Sequence, residues 1–314
     1  MKDKKRVKIA ISIGDINGIG LELAIKNHDY ISTIASPIYC INQYMLSQAY
    51  KLCGIEKIKN FDIFPTKGEF DISPGINTKE AGLYSYNSFQ DAISLVKNGK
   101  ADAICTMPIN KNSWNMANIN YIGHTDMLRD IFKKDAIMMM GCDKLFVALY
   151  TEHIALKDVP KEINKDRLKK FFHHFYNCVK DKNPKIGVLA LNPHASDGGI
   201  IGDEEIEINK AADETNQALN KDIFSQALVP DVAFVKQNRE KFDYFIAMYH
   251  DIALSPLKAL YFEEVINISL NLPILRTSVG HGTAFDKAYK NIKLSNRSYI
   301  NAIRYIKEHF DTCR

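Results

Sequence analysis

What this sequence lacks narrows it first. It has no apolar run of the ~18 residues that a membrane helix needs, and its charged N-terminus leads straight into a strand-like segment. Neither a membrane span nor an export signal is expected, and the chain reads as soluble and cytoplasmic. The six cysteines (Cys40, Cys53, Cys105, Cys142, Cys178 and Cys313) show no CxxC and no tight spacing, which argues against a disulfide framework and suits reduced thiols. The formal charge is only +4, and acids and bases are interspersed. Its two basic clusters, Lys2–Lys8 and Lys165–Lys170, do not combine with aromatics into a recognisable module, so nucleic acid is not an expected partner. GxGxxG, GxxxxGK[ST], internal repeats and low-complexity tracts are all missing.

What is present points to a layered α/β protein. At 314 residues the chain exceeds the size at which one core usually stops growing, so two lobes with a cleft as the default site are expected. Strand-like and helical segments alternate almost throughout, which predicts a largely parallel sheet with one antiparallel hairpin. Val7–Ile13 leads into GDINGIG (Gly14–Gly20) and a helical LELAIKN; the turn serves either as a phosphate cradle or as a tight structural bend. Ile38–Ile41 and Lys57–Phe64 read as strands around a helix, Gln43–Cys53, closed by Gly54. Asn77–Lys97 is helical with Ala81, Tyr84, Phe89, Ile93 and Val96 on its buried stripe, and Ala101–Thr106 is a strand. Ala136–Met140 and Leu145–Thr151 flank Gly141-Cys142-Asp143 as a hairpin. Then come a helix at Asn164–Lys180, a strand at Lys185–Leu191, and a helix at Asp203–Leu219 whose opening acids suit the helix dipole. Val265–Leu270 and Pro273–Arg276 read as strands, Ala284–Tyr289 as the start of a helix, and Arg297–Phe310 as a terminal amphipathic helix.

The chemistry-bearing residues collect where strands stop. LFVALYTEH, IGVLALNPH and FIAMYH are apolar runs that end at His153, His194 and His250. Ligands of open α/β sheets gather beyond the carboxyl ends of strands, so these histidines form one candidate site. Three imidazoles suit Zn²⁺ or another borderline divalent ion with one position open to substrate, although each alone also reads as a polar residue meeting water. Asp251 and Asp231 either orient the histidines or accept protons. Lys258, Asn267 and Arg276, near the ends of the same segments, favour a phosphorylated or carboxylated small molecule over plain surface charge. In GHTDMLRDIF, Thr125 is placed to cap a helix with His124 just before it, where an anion is easily bound; alone, His124 reads as a surface-loop histidine. His281, between Gly280 and Gly282, marks a close backbone approach to a ligand.

Taken together, GDINGIGLE, GHTD, TEH, NPHASDGG, YHDIALSPLK and RTSVGHGTAFD, in that order from about Lys8 to about Lys290, resemble the 4-hydroxythreonine-4-phosphate dehydrogenases of pyridoxal phosphate biosynthesis. The resemblance implies a two-lobed α/β/α fold like that of the isocitrate and isopropylmalate dehydrogenases, with the active site in the interlobe cleft. Residues 1–118 with 277–314 would form the cofactor-side lobe, and residues 119–276 the metal, substrate and dimerisation lobe. It also implies a homodimer, NAD or NADP as cofactor, and a divalent metal (Zn²⁺, Mg²⁺ or Co²⁺) on His153, His194 and His250, with His250 placed in the partner's site. His124, Thr125, Lys258, Asn267 and Arg276 match the family's substrate-binding positions. HGTAFD, with His281, Gly282, Thr283, Ala284 and Asp286, resembles the loop set against the dinucleotide, in place of a Rossmann fingerprint.

The implied reaction oxidises 4-phosphooxy-L-threonine at C3, the metal holding the hydroxyl oxygen and Asp251 or a metal-linked water taking the proton. Its product, 2-amino-3-oxo-4-phosphooxybutanoate, decarboxylates to 3-amino-2-oxopropyl phosphate. The alternatives are a dehydrogenase of another phosphorylated hydroxy acid, such as phosphothreonate, and a metal-dependent phosphometabolite-binding module without redox chemistry. Five departures from the family pattern bear on substrate and cofactor choice: Ile16 and Asn17 in the glycine turn, Asp197 for Glu, Ile252 for Gln, and Gly280 for Asp.

Overall fold

The computed structural model describes residues 6–310. It divides into two compact units, the first comprising Met1–Lys134, Ile266–Ile268 and Leu272–Arg314 and the second Asp135–Val265 and Ser269–Asn271. His124, Thr125, Asn267 and Arg276, which the sequence reading places in the second lobe, therefore belong to the first unit.

In the first unit five strands run parallel in the order β3-β2-β1-β4-β10: β1 (Lys8–Ser12), β2 (Ser36–Cys40), β3 (Ile63–Phe64), β4 (Ala103–Thr106) and β10 (Arg276–Val279), with β9 (Ile266–Leu270) next to β10. The order reverses at β1. Successive strands β2 and β3 lie to one side of it, β4 and β10 to the other, so the crevice beyond the ends of β1 and β4 is where such a sheet receives a ligand. Ser12 and Thr106 are register partners at that point, and Ser278 pairs with Thr106 on the other side.

The helices covering this sheet begin and end as their sequences dictate. Asn42 accepts a hydrogen bond from the Met45 amide at 2.9 Å to open Gln43–Cys53, and Gly54 closes it at φ 63°. Thr78 does the same for Ala81 ahead of Lys79–Lys97, whose Ala81, Tyr84, Phe89 and Ile93 are buried and whose Val96 is half-buried. Phe89 and Ile93 pack with Trp114, Met127 and Leu128 in the core of this unit. Two expected elements take another form in the structure. β10 begins at Arg276 and not at Pro273, whose missing N–H cannot join a ladder. Ala284–Tyr289 is a series of turns, because Ala284 and Tyr289 take positive φ (42° and 55°), which an α-helix cannot include. Of Lys57–Phe64, only the last two residues form a strand.

The second unit is built on β5-β6-β8-β7: β5 (Ile137–Cys142), β6 (Leu145–Leu149), β8 (Tyr244–Ala247) and β7 (Ile186–Val188). β5 and β6 form the expected antiparallel hairpin, while β6, β8 and β7 are parallel neighbours. Val147, Leu149, Phe245, Ala247, Leu254 and Leu257 lie in its core. Asn164 caps the amphipathic helix Lys165–Val179 by accepting from the Asp166 and Arg167 amides. No disulfide is formed among the described cysteines, and no described helix is long and apolar enough to cross a membrane.

Candidate active site

Three parallel neighbours, β6, β8 and β7, send their carboxyl ends into loops that carry His153, His250 and His194 respectively. None of the three is the last residue of its strand. β6 ends at Leu149, and the chain is then tied to the end of β8 by Thr151, whose amide and hydroxyl both donate to the Met248 carbonyl (3.2 and 2.6 Å). That tie brings His153 beside His250, with ring centres 5.7 Å apart. His250 is the first residue of the helix His250–Tyr261, which opens without a side-chain cap. His194 follows β7 by six residues, in a turn at Pro193–Gly198.

The Nδ1 of His250 donates to Asp251 at 2.9 Å, and that of His194 donates to Asp197 at 3.1 Å. A carboxylate on Nδ1 fixes the tautomer and leaves Nε2 as a lone-pair donor, which is the arrangement that metal-binding histidines carry. The donor set therefore fits a borderline divalent metal. Among the described residues no three His, Cys, Asp or Glu side chains gather closely enough to hold an ion, although His153 and His250 lie side by side. Within a chain, His153 thus has His250 as its neighbour, where the resemblance paired it with His194. Of the two roles left open for Asp251, the geometry matches that of orienting His250. A cavity of about 540 Å³ beside them is lined by Asn192, His194, Asp231, Tyr249, Asp251 and Ile252, among others. Lys258 lies half-buried two turns further along the helix from His250.

The other expected site residues cluster in the first unit. His124 is the first residue of the helix His124–Phe132, with Gly123 before it, so Thr125 lies inside the first turn instead of capping it. Nor is His124 a surface residue. It is buried, edge-on to Phe89 and Trp114 at 4.6 and 5.9 Å, and its Nε2 has no hydrogen-bond partner among the described residues. Burial, reinforced by the Arg276 cation, holds it well below the usual imidazole range and therefore neutral. Arg276 is among the largest fully buried side chains and donates to the Thr106 hydroxyl from Nη2 at 2.6 Å and from Nε at 3.2 Å. Burial pushes its guanidinium down to about 10. The Oδ1 of half-buried Asn267 is a further acceptor without a partner among the described residues.

The HGTAFD loop packs on the GDINGIG turn. The Ile19 amide donates to the Thr283 carbonyl at 3.0 Å, and a Cβ on Gly18 would lie 2.8 Å from that oxygen. Asn17, one of the departures, braces the same region by accepting from the Ser73 amide and donating to the Ile76 carbonyl, both at 2.9 Å. His281 donates from Nδ1 to the Gly282 carbonyl, which leaves its buried Nε2 without a partner among the described residues. A Cβ on Gly282 would meet only open space, Ala284 takes positive φ, and Asp286 is exposed. An orphaned acceptor beside an open glycine fits a loop that meets a polar ligand.

Two residues that sequence reasoning did not single out belong with these. Thr106 receives Arg276 at the end of β4, and its only signal was position. Asp15 is fully buried just past β1, with Oδ1 accepting from the Asn17 amide at 3.0 Å and Oδ2 without a partner among the described residues. Burial pushes its carboxyl up to about 6. An acid inside a glycine turn at the switch point was legible as a candidate.

Known proteins resemble this chain over nearly its whole length. The family described as "Pyridoxal phosphate biosynthetic protein PdxA" matches residues 33–306. A 4-hydroxythreonine-4-phosphate dehydrogenase of Sulfurimonas denitrificans is 55% identical over 299 residues, covering 95% of this chain and 96% of that protein. Two solved structures superpose over nearly the whole chain. A 4-hydroxythreonine-4-phosphate dehydrogenase from Burkholderia phymatum is 30% identical with a TM-score of 0.77, covering 98% of each chain. That from Klebsiella pneumoniae is 26% identical with a TM-score of 0.82, covering 99% of each. The chain belongs to the PdxA family of pyridoxal phosphate biosynthetic proteins, that of the 4-hydroxythreonine-4-phosphate dehydrogenases.

Proposed function

We propose that this chain is an NAD(P)-linked, divalent-metal-dependent dehydrogenase of 4-phosphooxy-L-threonine. It yields 2-amino-3-oxo-4-phosphooxybutanoate, which decarboxylates to 3-amino-2-oxopropyl phosphate on the way to pyridoxine 5'-phosphate. The observation that carries the reading is the set of three histidines beyond neighbouring parallel strands, two of them with Nδ1 on a carboxylate. The name of a relative that is 55% identical supports the choice of substrate.

His153, His194 and His250 would hold Zn²⁺, Mg²⁺ or Co²⁺, and the His281–Asp286 loop with the glycine turn would hold the dinucleotide. When bound, the metal supplies Lewis acidity toward the substrate's oxygens and the nicotinamide supplies a hydride acceptor. The chain's own residues do the rest. Arg276 and Lys258 bind the anionic groups of the substrate, and Arg276 binds strongly because burial has already stripped its charge of water. His124, held neutral, offers Nε2 as an acceptor, with Thr125 beside it in the same helical turn and the Asn267 amide oxygen as a second acceptor. Asp251 keeps His250 in one tautomer, while Asp231, on the wall of the cavity, would take a proton.

The working form is a homodimer with the metal site shared between subunits, acting in the cytoplasm. Two observations support the sharing. One chain gathers no three ligands among its described residues, and the loops bearing His153 and His194 expose Ile154, Leu156, Ile200 and Ile201, an apolar surface suited to a second copy. Purified protein, stripped with a chelator and reloaded with each metal, is assayed with 4-phosphooxy-L-threonine and either NAD or NADP. Reduced cofactor should appear only when metal and substrate are both present. Reduction with phosphothreonate alone would move the assignment to a sister activity, and no reduction under any condition would end it.

A further inference from the structure

The turn that presents His194 has an unusual backbone. His194, Ala195, Ser196 and Asp197 have φ of 53°, 51°, 68° and 43°, and Gly198 and Gly199 continue at 72° and 98°. Four consecutive non-glycine residues in the left-handed region are strained by contact between Cβ and the backbone, and such a turn persists only where its surroundings over-determine it. One side chain dominates those surroundings. Glu205, buried in the first turn of the 16-residue helix Glu204–Leu219, accepts from the Leu191 amide at 2.8 Å and the Asn192 amide at 2.7 Å through Oε1. Through Oε2 it accepts from Asn192 Nδ2 at 3.0 Å and from the hydroxyl of Ser196, itself buried in the middle of the turn. The Ser196 carbonyl then receives the amides of Gly199, Ile200 and Ile201 at 3.0, 2.9 and 3.2 Å. Each of the four bonds that end on Glu205 needs an acceptor there, so the ionised carboxylate serves all four donors at once.

We propose that Glu205 is the positioning residue of His194: by clamping both the entry and the centre of the left-handed turn it aims the imidazole, and so sets metal affinity without touching the metal. The acids at 203–205 read from sequence as helix-dipole partners, yet Asp203 makes no side-chain cap, and Glu205 is turned to the loop. The inference rests on the proposed metal role of the histidines, and its test separates the two.

Stripped protein is titrated with Co²⁺, following the visible ligand-field bands, for wild type, Glu205→Ala, Ser196→Ala and the double variant Glu205→Ala with Ala195→Gly; circular dichroism and melting report folding. Loss of a group that orients a metal ligand typically weakens affinity about 10- to 100-fold, and Glu205→Ala should fall in that range with altered bands. Ser196→Ala should weaken binding less, at an unchanged melting temperature. Adding Ala195→Gly should restore part of the loss, because glycine adopts positive φ without a Cβ penalty, a rescue that general damage to the helix would not show. Should Glu205→Ala fail to fold, Ser196→Ala decides. Equal cobalt affinity in wild type and a folded variant, or a loss that glycine does not relieve, overturns the positioning role. A wild-type protein that takes up no cobalt overturns the metal reading itself.

Discussion

Replacing Arg276 by methionine removes a charge while keeping most of the volume it fills, which makes it a clean perturbation of the first-unit cluster. Burial lowers the guanidinium to about 10, a penalty on its charged form of roughly 3 kcal/mol. A substrate anion beside it recovers much of that cost, and losing one member of a desolvated charge pair costs ~2–4 kcal/mol, so the variant should bind 4-phosphooxy-L-threonine ~30- to ~1000-fold more weakly. Stability should move much less. Losing the charge removes its burial penalty of roughly 3 kcal/mol, while stranding the Thr106 hydroxyl, which loses donors at 2.6 and 3.2 Å, costs ~1–3 kcal/mol. The two effects largely cancel. Calorimetric titration with substrate, and separately with NAD or NADP, together with thermal melts, gives each quantity independently. A folded Arg276→Met protein that binds substrate within about threefold of wild type would refute the reasoning and leave Arg276 as a structural link to Thr106.

Asp15 gives a pH-dependent stability test. Its carboxyl is raised from 3.8 to about 6 in the folded protein, so between about pH 4 and 6 the native state binds more protons than the unfolded one, and this group's contribution to stability falls as pH rises. Asp15→Asn should match wild type below pH ~4 and exceed it by roughly 3 kcal/mol above pH ~6; a difference that stays constant across urea melts in that range would contradict the burial argument. For the shared metal site, mixing inactive His194→Ala and His250→Ala proteins should restore activity, because a heterodimer then holds one intact site and one doubly damaged site. With free subunit exchange, recovery should approach about a quarter of wild type, and its absence despite co-purification of differently tagged chains would mean that one chain supplies both residues.

Much of the fold was legible because it rests on short-range signals. Asn42, Thr78 and Asn164 announce helix starts, and Gly54 announces a helix end. The hairpin around Gly141-Cys142-Asp143 and the three strands before the histidines stand out as apolar runs between polar breaks. What escaped was set by long-range contacts. Nothing in GHTDML says that His124 will be enclosed by Phe89 and Trp114, because both come from other elements. Ala284–Tyr289 has helical composition, yet Thr283 is bound to the glycine turn some 260 residues earlier, and the backbone there turns left-handed.

The candidate site divides along the same line. His153, His194 and His250 could be nominated because strand ends are visible in sequence and the residues that follow them meet ligands. Their grouping could not, since it depends on Thr151 reaching the Met248 carbonyl and on Glu205 holding the His194 turn from a helix that begins ten residues later. That turn carries no glycine until Gly198, so four residues that ordinarily avoid positive φ give no local sign of adopting it. Its conformation is imposed from outside by hydrogen bonds. A residue such as Glu205, whose partners are mostly backbone amides, leaves almost no trace in its own neighbourhood of sequence, where an acid at the start of a helix already has an ordinary explanation in the dipole. The histidines show which atoms can meet the metal, while the acids and hydroxyls behind them decide where those atoms are held.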